Sequence, residues 1–369
     1  MGHSDYDSLS FKARLTASEI DWLWGHAACF DRTLKVGPRS FARLAEKRVR
    51  PTTFARSKLF NQMASNEPIL FSNFAIRPYF DGGRLTRDGL LRELKTGFSG
   101  STRARVRTSV SINYTPIPTV LDRWCRARSR FGVTDLHYIG TRFDRRIDTS
   151  GLNDFNLLPR GTDGYESQDS LVISTVGGFT DSHSDDHSGS NHSFIGAKLW
   201  LLWDTLEGFE HGLEDVERCT VYDRAAFDMD AFLAMKSSCW IYIGPGQTMF
   251  IPANLTHKVI TLEQYLGLGS FHAALPGFLN LLSHWANLAP SWAVPFKPGR
   301  RGSVEFLVRR AIRRVRELRT QSRAEQYRWG VPHMKESLRR MLVDRARDSR
   351  WTEVGRANIN KFVAAVSQI

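Results

Sequence analysis

Cysteine is scarce in this chain of 369 residues, which contains only four, at positions 29, 125, 219 and 239. No two of them form a Cys-x-x-Cys pair, which argues against a zinc ribbon and against a disulfide framework. No apolar run approaches the length of a membrane span, and the first residues lack the pattern of a secretory signal. These absences predict an intracellular protein, cytoplasmic or nuclear, without a membrane partner.

Acidic residues are also in deficit, and the formal net charge is +13. The excess is concentrated from Lys297 to the last residue, where 19 Lys and Arg residues, Lys297 included, accompany only 7 Asp and Glu residues. Apolar residues recur there at helical spacing, so the stretch predicts three basic amphipathic helices. Three roles stay open for them: a solvated surface, nonspecific contact with nucleic acid, or docking on the rest of the chain or in a homodimer.

The central feature of the sequence is the polar stretch 176–198, which contains the tripeptide His183-Ser184-Asp185. The apolar run 171–176 leads into it and predicts a strand. If that strand continues to Asp185, both side chains lie on one face, because side chains alternate along a strand. One imidazole and one carboxylate, completed by a second His, form the facial triad that binds Fe(II) in oxygenases. A plain solvated loop is the alternative for the tripeptide alone.

Two later residues suit such a site. The segment 240–260 predicts three short strands, and His257 begins the last of them. Lys198 lies within the apolar strand 194–203, where burying an ammonium group costs several kcal/mol unless an anion meets it. A bound dicarboxylate is one such anion, and the hydroxyl of Thr180 is available to the same carboxylate.

These motifs together resemble the Jumonji-C family of Fe(II)- and 2-oxoglutarate-dependent dioxygenases. The resemblance rests on Thr180-x-x-His183-x-Asp185, on Lys198, and on Gly246 to Pro252 followed by His257, and it is nearest to the lysine-demethylase branch with PHD fingers. It implies that His183, Asp185 and His257 bind iron, and that Thr180 and Lys198 hold 2-oxoglutarate. It also implies a cosubstrate contact for Asn191, whose alternative role is that of a turn residue.

The resemblance implies an α+β fold with a double-stranded β-helix, a cupin or jelly-roll barrel, as the catalytic unit. We expect a mixed, mainly helical N-terminal cap over residues 1–130, the barrel over 131–289, and the basic helical bundle over 300–369. Between barrel strands, the acidic insertion 204–235 is interpreted as a solvated face or, alternatively, as a docking surface for a basic substrate. A further strand is predicted over 105–113.

The function implied is oxidation of C–H bonds, most simply of a protein or peptide substrate, by hydroxylation or by demethylation of N-methyl-lysine. Three alternatives stay open at this stage. The first is a hydroxylase of a small molecule or short peptide, and the second is a non-catalytic binding module with the same barrel. The third is a zinc site built by the three histidines of one loop, His183, His187 and His192.

Overall fold

The computed structural model describes residues 9–73, 77–78, 86–108, 111–126, 130–161, 169–213, 227–287, 304–343 and 353–369. They form a mixed α+β structure, as the sequence predicts. The strands are β1 (Pro51–Thr52), β2 (Ile69–Phe71), β3 (Arg77–Pro78), β4 (Arg103–Arg107), β5 (Ile112–Pro116), β6 (Gly132–His137), β7 (Ile147–Asp148), β8 (Ser170–Ser174), β9 (Phe179–His183), β10 (Ser188–Ile195), β11 (Lys198–Asp204), β12 (Cys239–Ile243), β13 (Thr248–Ile251), β14 (Leu255–Thr261) and β15 (Tyr265–His272).

Thirteen α-helices lie within the described residues. They are α1 (Ala17–Ala28), α2 (Phe41–Glu46), α3 (Arg56–Ser65), α4 (Arg87–Gly97), α5 (Ile117–Arg126), α6 (Ser150–Asn153), α7 (Thr205–Glu210), α8 (Met229–Ala234), α9 (Phe278–Asn287), α10 (Val304–Leu318), α11 (Arg323–Arg328), α12 (Val331–Val343) and α13 (Glu353–Val366). Short 3-10 helices cover Arg32–Leu34, Pro38–Ser40, Asp144–Arg146 and Leu275–Gly277. None of the helices in the described ranges is long and apolar enough to cross a membrane.

Two sheets organise the molecule. The larger has nine strands in the order β1-β2-β13-β10-β15-β8-β6-β4-β5, and the smaller has four in the order β12-β11-β14-β9. Their strands pair antiparallel, except for the parallel pair β1 and β2. Residues of both sheets line one common cavity, so the two sheets face each other there.

Local sequence signals explain several elements. Thr16 and Glu19 form a capping box at the start of α1, in which each side chain satisfies a backbone N–H of the other. Helix α4 begins after the capping hydroxyl of Thr86 and buries Leu90 and Leu94 on one face. Both helices therefore begin at a capping residue, which is a local signal in the sequence.

The prediction of one strand over 105–113 was wrong, because the chain turns back there and forms the hairpin of β4 and β5. The Thr108 hydroxyl and backbone N–H both contact Ser111, and these short polar side chains stabilise the turn. The expected strand from 171 to 185 is likewise interrupted. Gly177, with φ of 71°, separates β8 in the large sheet from β9 in the small one.

The N-terminal region contributes more than a helical cap. Strands β1, β2, β4 and β5 all belong to the nine-stranded sheet, so they share one layer with strands of the predicted barrel. The large apolar cluster beneath that sheet joins residues of α3, α4 and α5 to residues of β8 and β15.

The basic C-terminal helices pack on the rest of the chain. Apolar residues of α10, α12 and α13 share one core with those of α9, including Leu307, Met334 and Phe362. Docking within the chain, one of the three roles open at the start, therefore accounts for much of their apolar surface. The stretch 290–299, whose three prolines and final glycine are typical of a linker, lies outside the described residues.

Candidate metal centre

Three side chains of two adjacent strands and one turn converge at one end of the four-stranded sheet. His183 ends β9 and lies directly opposite His257 of β14, while Asp185 follows two residues after His183. Nε2 of His183 is 3.8 Å from Oδ1 of Asp185, and Nε2 of His257 is 3.8 Å from Oδ2 of the same carboxylate. One ligand atom from each residue lies within 4.8 Å of the others, so the group is able to hold a metal ion.

Backbone hydrogen bonds fix the strand that carries His183. The N–H of Gly177 donates to the carbonyl of Thr261 over 2.8 Å, and the N–H of Thr261 donates to Gly178 over 2.8 Å. Gly177 has a positive φ of 71°, which favours glycine, and a Cβ there would lie 2.7 Å from the ring of Phe30. The double glycine therefore directs β9 along β14, where the two histidines meet.

The protonation of the site suits metal binding. Burial, together with the nearby charge of His183, lowers the pKa of His257 well below its ordinary value, so its ring is neutral. Burial raises the pKa of Asp185, although His183 works in the opposite direction. Metal ligands must be a neutral imidazole and an ionised carboxylate. The ring of His257 is already neutral, and a bound cation would favour the ionised form of Asp185.

Helix α9 supports the turn that carries Asp185. The indole N–H of Trp285 donates to the carbonyl of Asp186 over 2.6 Å, and His284 hydrogen-bonds to the backbone of Asp185. The ring of His187 packs against the edge of Trp285, with centroids 5.5 Å apart. The sequence predicts this helix and its apolar face, but it contains no signal that the helix contacts the ligand turn.

Lys198 begins β11 and is buried, with only 4% of its surface exposed. Its Nζ lies 4.2 Å from the centre of the Tyr265 ring. No carboxylate of the described residues pairs with it, and burial lowers its pKa to about 7. A buried ammonium group without an anion is costly, so this position is suited to binding one.

The triad and Lys198 line the same cavity, of about 280 Å³, between the two sheets. Thr180 of β9 and Asn191 of β10 also line it, so all six predicted site residues surround one space. The Asn191 side-chain oxygen accepts a hydrogen bond from the hydroxyl of Tyr265. Asn191 is thus part of a strand and not a turn residue.

The alternative zinc site does not assemble. His192 bonds through Nδ1 to the Thr248 hydroxyl over 2.6 Å, and His187 packs against Phe271 and Trp285. Within the described ranges, the only His, Cys, Asp and Glu group close enough to hold a metal is His183, Asp185 and His257.

No protein-family model matches this sequence. No curated protein matches it either. The assignment of a function therefore depends on the residues of the site.

Proposed function

We propose that this chain is an Fe(II)- and 2-oxoglutarate-dependent dioxygenase of the Jumonji-C type, which oxidises a C–H bond of a protein side chain. The observation that carries the proposal is one cavity that contains both a His, Asp and His group and a buried lysine. Such a cavity offers a metal site and, beside it, a cation for the free carboxylate of a diacid.

The order of the strands supports a double-stranded β-helix as the catalytic unit. The eight strands from β8 to β15 contribute four to each sheet, in the orders β13-β10-β15-β8 and β12-β11-β14-β9. At each of the four positions, the strand in one sheet is the sequence neighbour of the strand in the other. This correspondence is expected when a single long hairpin winds into two facing layers.

The donor set fits iron. Two imidazoles and one carboxylate are the ligands of non-haem Fe(II) oxygenases, and three protein ligands leave coordination positions open. Iron bound there would supply dioxygen activation coupled to the oxidative decarboxylation of 2-oxoglutarate. The chain itself provides apolar walls that limit water, including Trp200, Met249 and Val259, which all line the cavity.

For the cosubstrate, Lys198 is the proposed partner of the distal carboxylate. Thr180 offers a hydroxyl from β9, and Asn191 offers an amide whose oxygen is already held by Tyr265. Because the Lys198 ammonium group loses solvation on burial, a carboxylate at its Nζ would stabilise the charged form. The same contact with Lys198 would anchor one end of the diacid and leave its keto acid end free to face the triad.

The proposed reaction is hydroxylation or N-demethylation, which use the same residues. On a plain carbon the product is an alcohol, whereas on an N-methyl group the hydroxylated product loses formaldehyde. A hydroxylase of small molecules and a non-catalytic module with the same barrel are the competing functions. The three-ligand group is complete, which favours turnover over a module that has lost it.

The deciding experiment is conversion of 2-oxoglutarate to succinate by the full chain with Fe(II) in air, measured by mass spectrometry. We expect iron-dependent succinate from the wild-type protein and none from the His257→Ala variant. Candidate peptides are then added, and gain of one oxygen is distinguished from loss of one methylene. Metal-loaded protein that binds 2-oxoglutarate but forms no succinate with any peptide or metabolite would support the non-catalytic module instead.

A further inference from the structure

One tyrosine contacts two of the residues proposed to hold the cosubstrate. Tyr265 begins β15 of the nine-stranded sheet, and its side chain is fully buried. Lys198 faces it from the four-stranded sheet, with Nζ 4.2 Å from the centre of the phenol ring. The hydroxyl of the same ring donates a hydrogen bond to Oδ1 of Asn191 on the adjacent strand β10. Tyr265 therefore connects the two side chains across the two sheets.

Two glycines of β15 make room for this arrangement. Because side chains alternate along a strand, Gly267 and Gly269 lie on the same face as Tyr265. A Cβ at Gly267 would lie 2.6 Å from the Tyr265 hydroxyl oxygen and 2.8 Å from its Cε1, so the ring lies directly over this glycine. A Cβ at Gly269 would lie 3.9 Å from Nδ2 of Asn191. This face of β15 is thus open to the phenol ring and to the amide that it contacts.

The face of the ring stabilises the charged form of Lys198. An aromatic face carries partial negative charge, so it attracts a cation that lies within about 6 Å of the ring centre. No carboxylate of the described residues pairs with Lys198, and burial disfavours its charge. The ring of Tyr265 opposes that effect and fixes the place of the ammonium group before any anion binds.

The hydroxyl of the ring determines which end of the Asn191 amide is a donor to the cavity. Burial raises the pKa of Tyr265, although a hydrogen bond with Ser193 works in the opposite direction, so the hydroxyl keeps its proton and donates it. Since Oδ1 of Asn191 accepts that hydrogen bond, the N–H donors of the amide are on its other atom, Nδ2. Asn191 lines the cavity, and N–H donors suit a carboxylate.

We propose that Tyr265 is a positioning residue for the anionic cosubstrate, which acts through Lys198 and Asn191 and does not itself touch the diacid. This inference rests on the proposed dioxygenase function. Tyr265 lies behind the residues that line the cavity and is not one of the six predicted from the sequence. A ring that only fills space would need neither contact, and its replacement would lower stability without changing ligand binding.

The first test is calorimetric titration of 2-oxoglutarate into the full chain with Mn(II), without oxygen, at pH 6.5. Tyr265→Phe keeps the ring but removes the hydroxyl, and we expect affinity to fall about three- to tenfold. Tyr265→Leu also removes the aromatic face, and we expect a further fall of about three- to tenfold. Tyr138→Phe is the matched control and should not change affinity, because Tyr138 is fully buried but packs against Phe143 outside the cavity.

Double-mutant cycles separate positioning from general packing. In the Lys198→Met protein, Tyr265→Leu should weaken binding no more than Tyr265→Phe does, because the ammonium group is already absent. In the Asn191→Ala protein, Tyr265→Phe should have little further effect. Fully additive losses in both cycles would overturn the inference. If the leucine variant does not fold, the cycle of Tyr265→Phe with Asn191→Ala decides alone.

The titration of Lys198 in the metal-free protein gives a readout without cosubstrate. It is followed by NMR of 13C-labelled lysine, and the Lys198 signal is the one absent from Lys198→Met. We expect Tyr265→Leu to lower the pKa of Lys198 by about one unit and Tyr265→Phe to leave it unchanged. The other titratable groups that line the cavity, Arg107 and the triad, are the same in both variants.

The two readouts distinguish this inference from the proposed function. If the wild-type protein binds no 2-oxoglutarate while the pKa of Lys198 changes as expected, only the proposed cosubstrate is wrong. If 2-oxoglutarate binds but neither its affinity nor the pKa of Lys198 responds to the Tyr265 variants, only the positioning role is wrong.

Discussion

His183 and His257 are directly paired on adjacent antiparallel strands, with ring centroids 4.2 Å apart. Residues 74 positions apart in the chain therefore present two imidazoles to the same carboxylate of Asp185. Strand pairing determines their separation, because neighbouring strands lie a fixed distance apart. A metal site built on this register is preorganised by the backbone and needs little movement to bind its ion.

Removal of either imidazole should abolish tight metal binding. We expect His183→Ala and His257→Ala each to weaken Mn(II) binding by more than about 100-fold. Loss of a residue that only hydrogen-bonds to a metal ligand already weakens metal binding by about 10- to 100-fold. Isothermal titration calorimetry without oxygen measures this loss. His211→Ala is the control, since His211 is exposed at the end of α7 and outside the triad. Unchanged affinity in either triad variant would contradict the metal assignment.

Binding of 2-oxoglutarate should weaken as pH rises above about 7. Burial lowers the pKa of Lys198 to about 7 in the free protein, so its ammonium group is charged below that pH and neutral above it. Because a carboxylate binds the charged form, the dissociation constant should rise towards tenfold per pH unit between pH 7.5 and 8.5. Lys198→Arg, whose side chain stays charged, should flatten this dependence.

Lys198→Met tests the same contact by removing the charge at similar length. We expect it to weaken 2-oxoglutarate binding about 10- to 100-fold at pH 6.5, which corresponds to the loss of a charged hydrogen bond. Calorimetric titrations at pH 6.5, 7.5 and 8.5 on all three proteins provide the measurement. Affinity that does not change with pH in the wild type, or that survives Lys198→Met, would place the diacid elsewhere.

Much of the site could be read from the sequence because its residues are chemically unusual for their surroundings. Two features can be recognised in the sequence alone: a lysine inside an apolar strand, and a His-x-Asp after a β-branched run. Both line the same cavity in the structure. The capping box of α1 is a purely local signal, since Thr16 and Glu19 are only three residues apart. The identity of the metal, the cosubstrate and the reaction stay predictions, because the arrangement of the described residues does not by itself determine them.

The features missed by sequence reasoning depend on contacts between distant segments. Trp285 and Asp186 are 99 residues apart, and nothing in either stretch indicates their hydrogen bond. The break at Gly177 was overlooked because a run of β-branched residues dominates the pattern, although the double glycine that follows is a signal for a turn. The hairpin of β4 and β5 was also missed, because the alternating pattern continues through the turn, and only the pairing of the two strands in the nine-stranded sheet reveals it.

The contact between Trp285 and Asp186 should affect metal affinity. Trp285→Phe keeps an aromatic ring but removes the indole donor that holds the turn, and we expect Mn(II) binding to weaken about tenfold. Trp24→Phe is the matched control, because Trp24 is also buried but packs against Trp240 in a different apolar cluster. Both variants should lower the melting temperature, and only the first should change metal affinity. An equal effect on affinity would assign the loss to general destabilisation.

Glu207 was interpreted as part of a solvated or docking face, but its carboxylate is used within the chain. It accepts hydrogen bonds from the backbone N–H groups of Lys236, over 2.7 Å, and Ser237, over 2.8 Å, and from the Ser237 hydroxyl. Burial works against ionisation, but these hydrogen bonds outweigh it and lower the pKa of Glu207. The carboxylate therefore fixes the segment that enters β12. Of the other acidic residues in this insertion, Glu214, Asp215 and Glu217 lie outside the described residues.

The lowered pKa determines how stability depends on pH. A carboxyl group with a lower pKa in the folded state stabilises the protein above its unfolded pKa, and this contribution disappears as pH falls through the folded value. Glu207→Ala should therefore reduce the free energy of unfolding by about 1–3 kcal/mol at pH 7. The difference from wild type should shrink below about pH 4, where the unfolded group is already protonated.

Urea unfolding followed by circular dichroism at pH 7 and at pH 3.5 measures both values. Glu305→Ala is the control, because Glu305 is 59% exposed and forms its ion pair with the exposed Arg309, at a distance of 3.4 Å. A solvent-exposed pair of this kind contributes less than about 0.5 kcal/mol. If Glu207→Ala cost no more than Glu305→Ala at pH 7, the carboxylate would be a surface group after all, and the acidic insertion would again be available as a docking face for a basic partner.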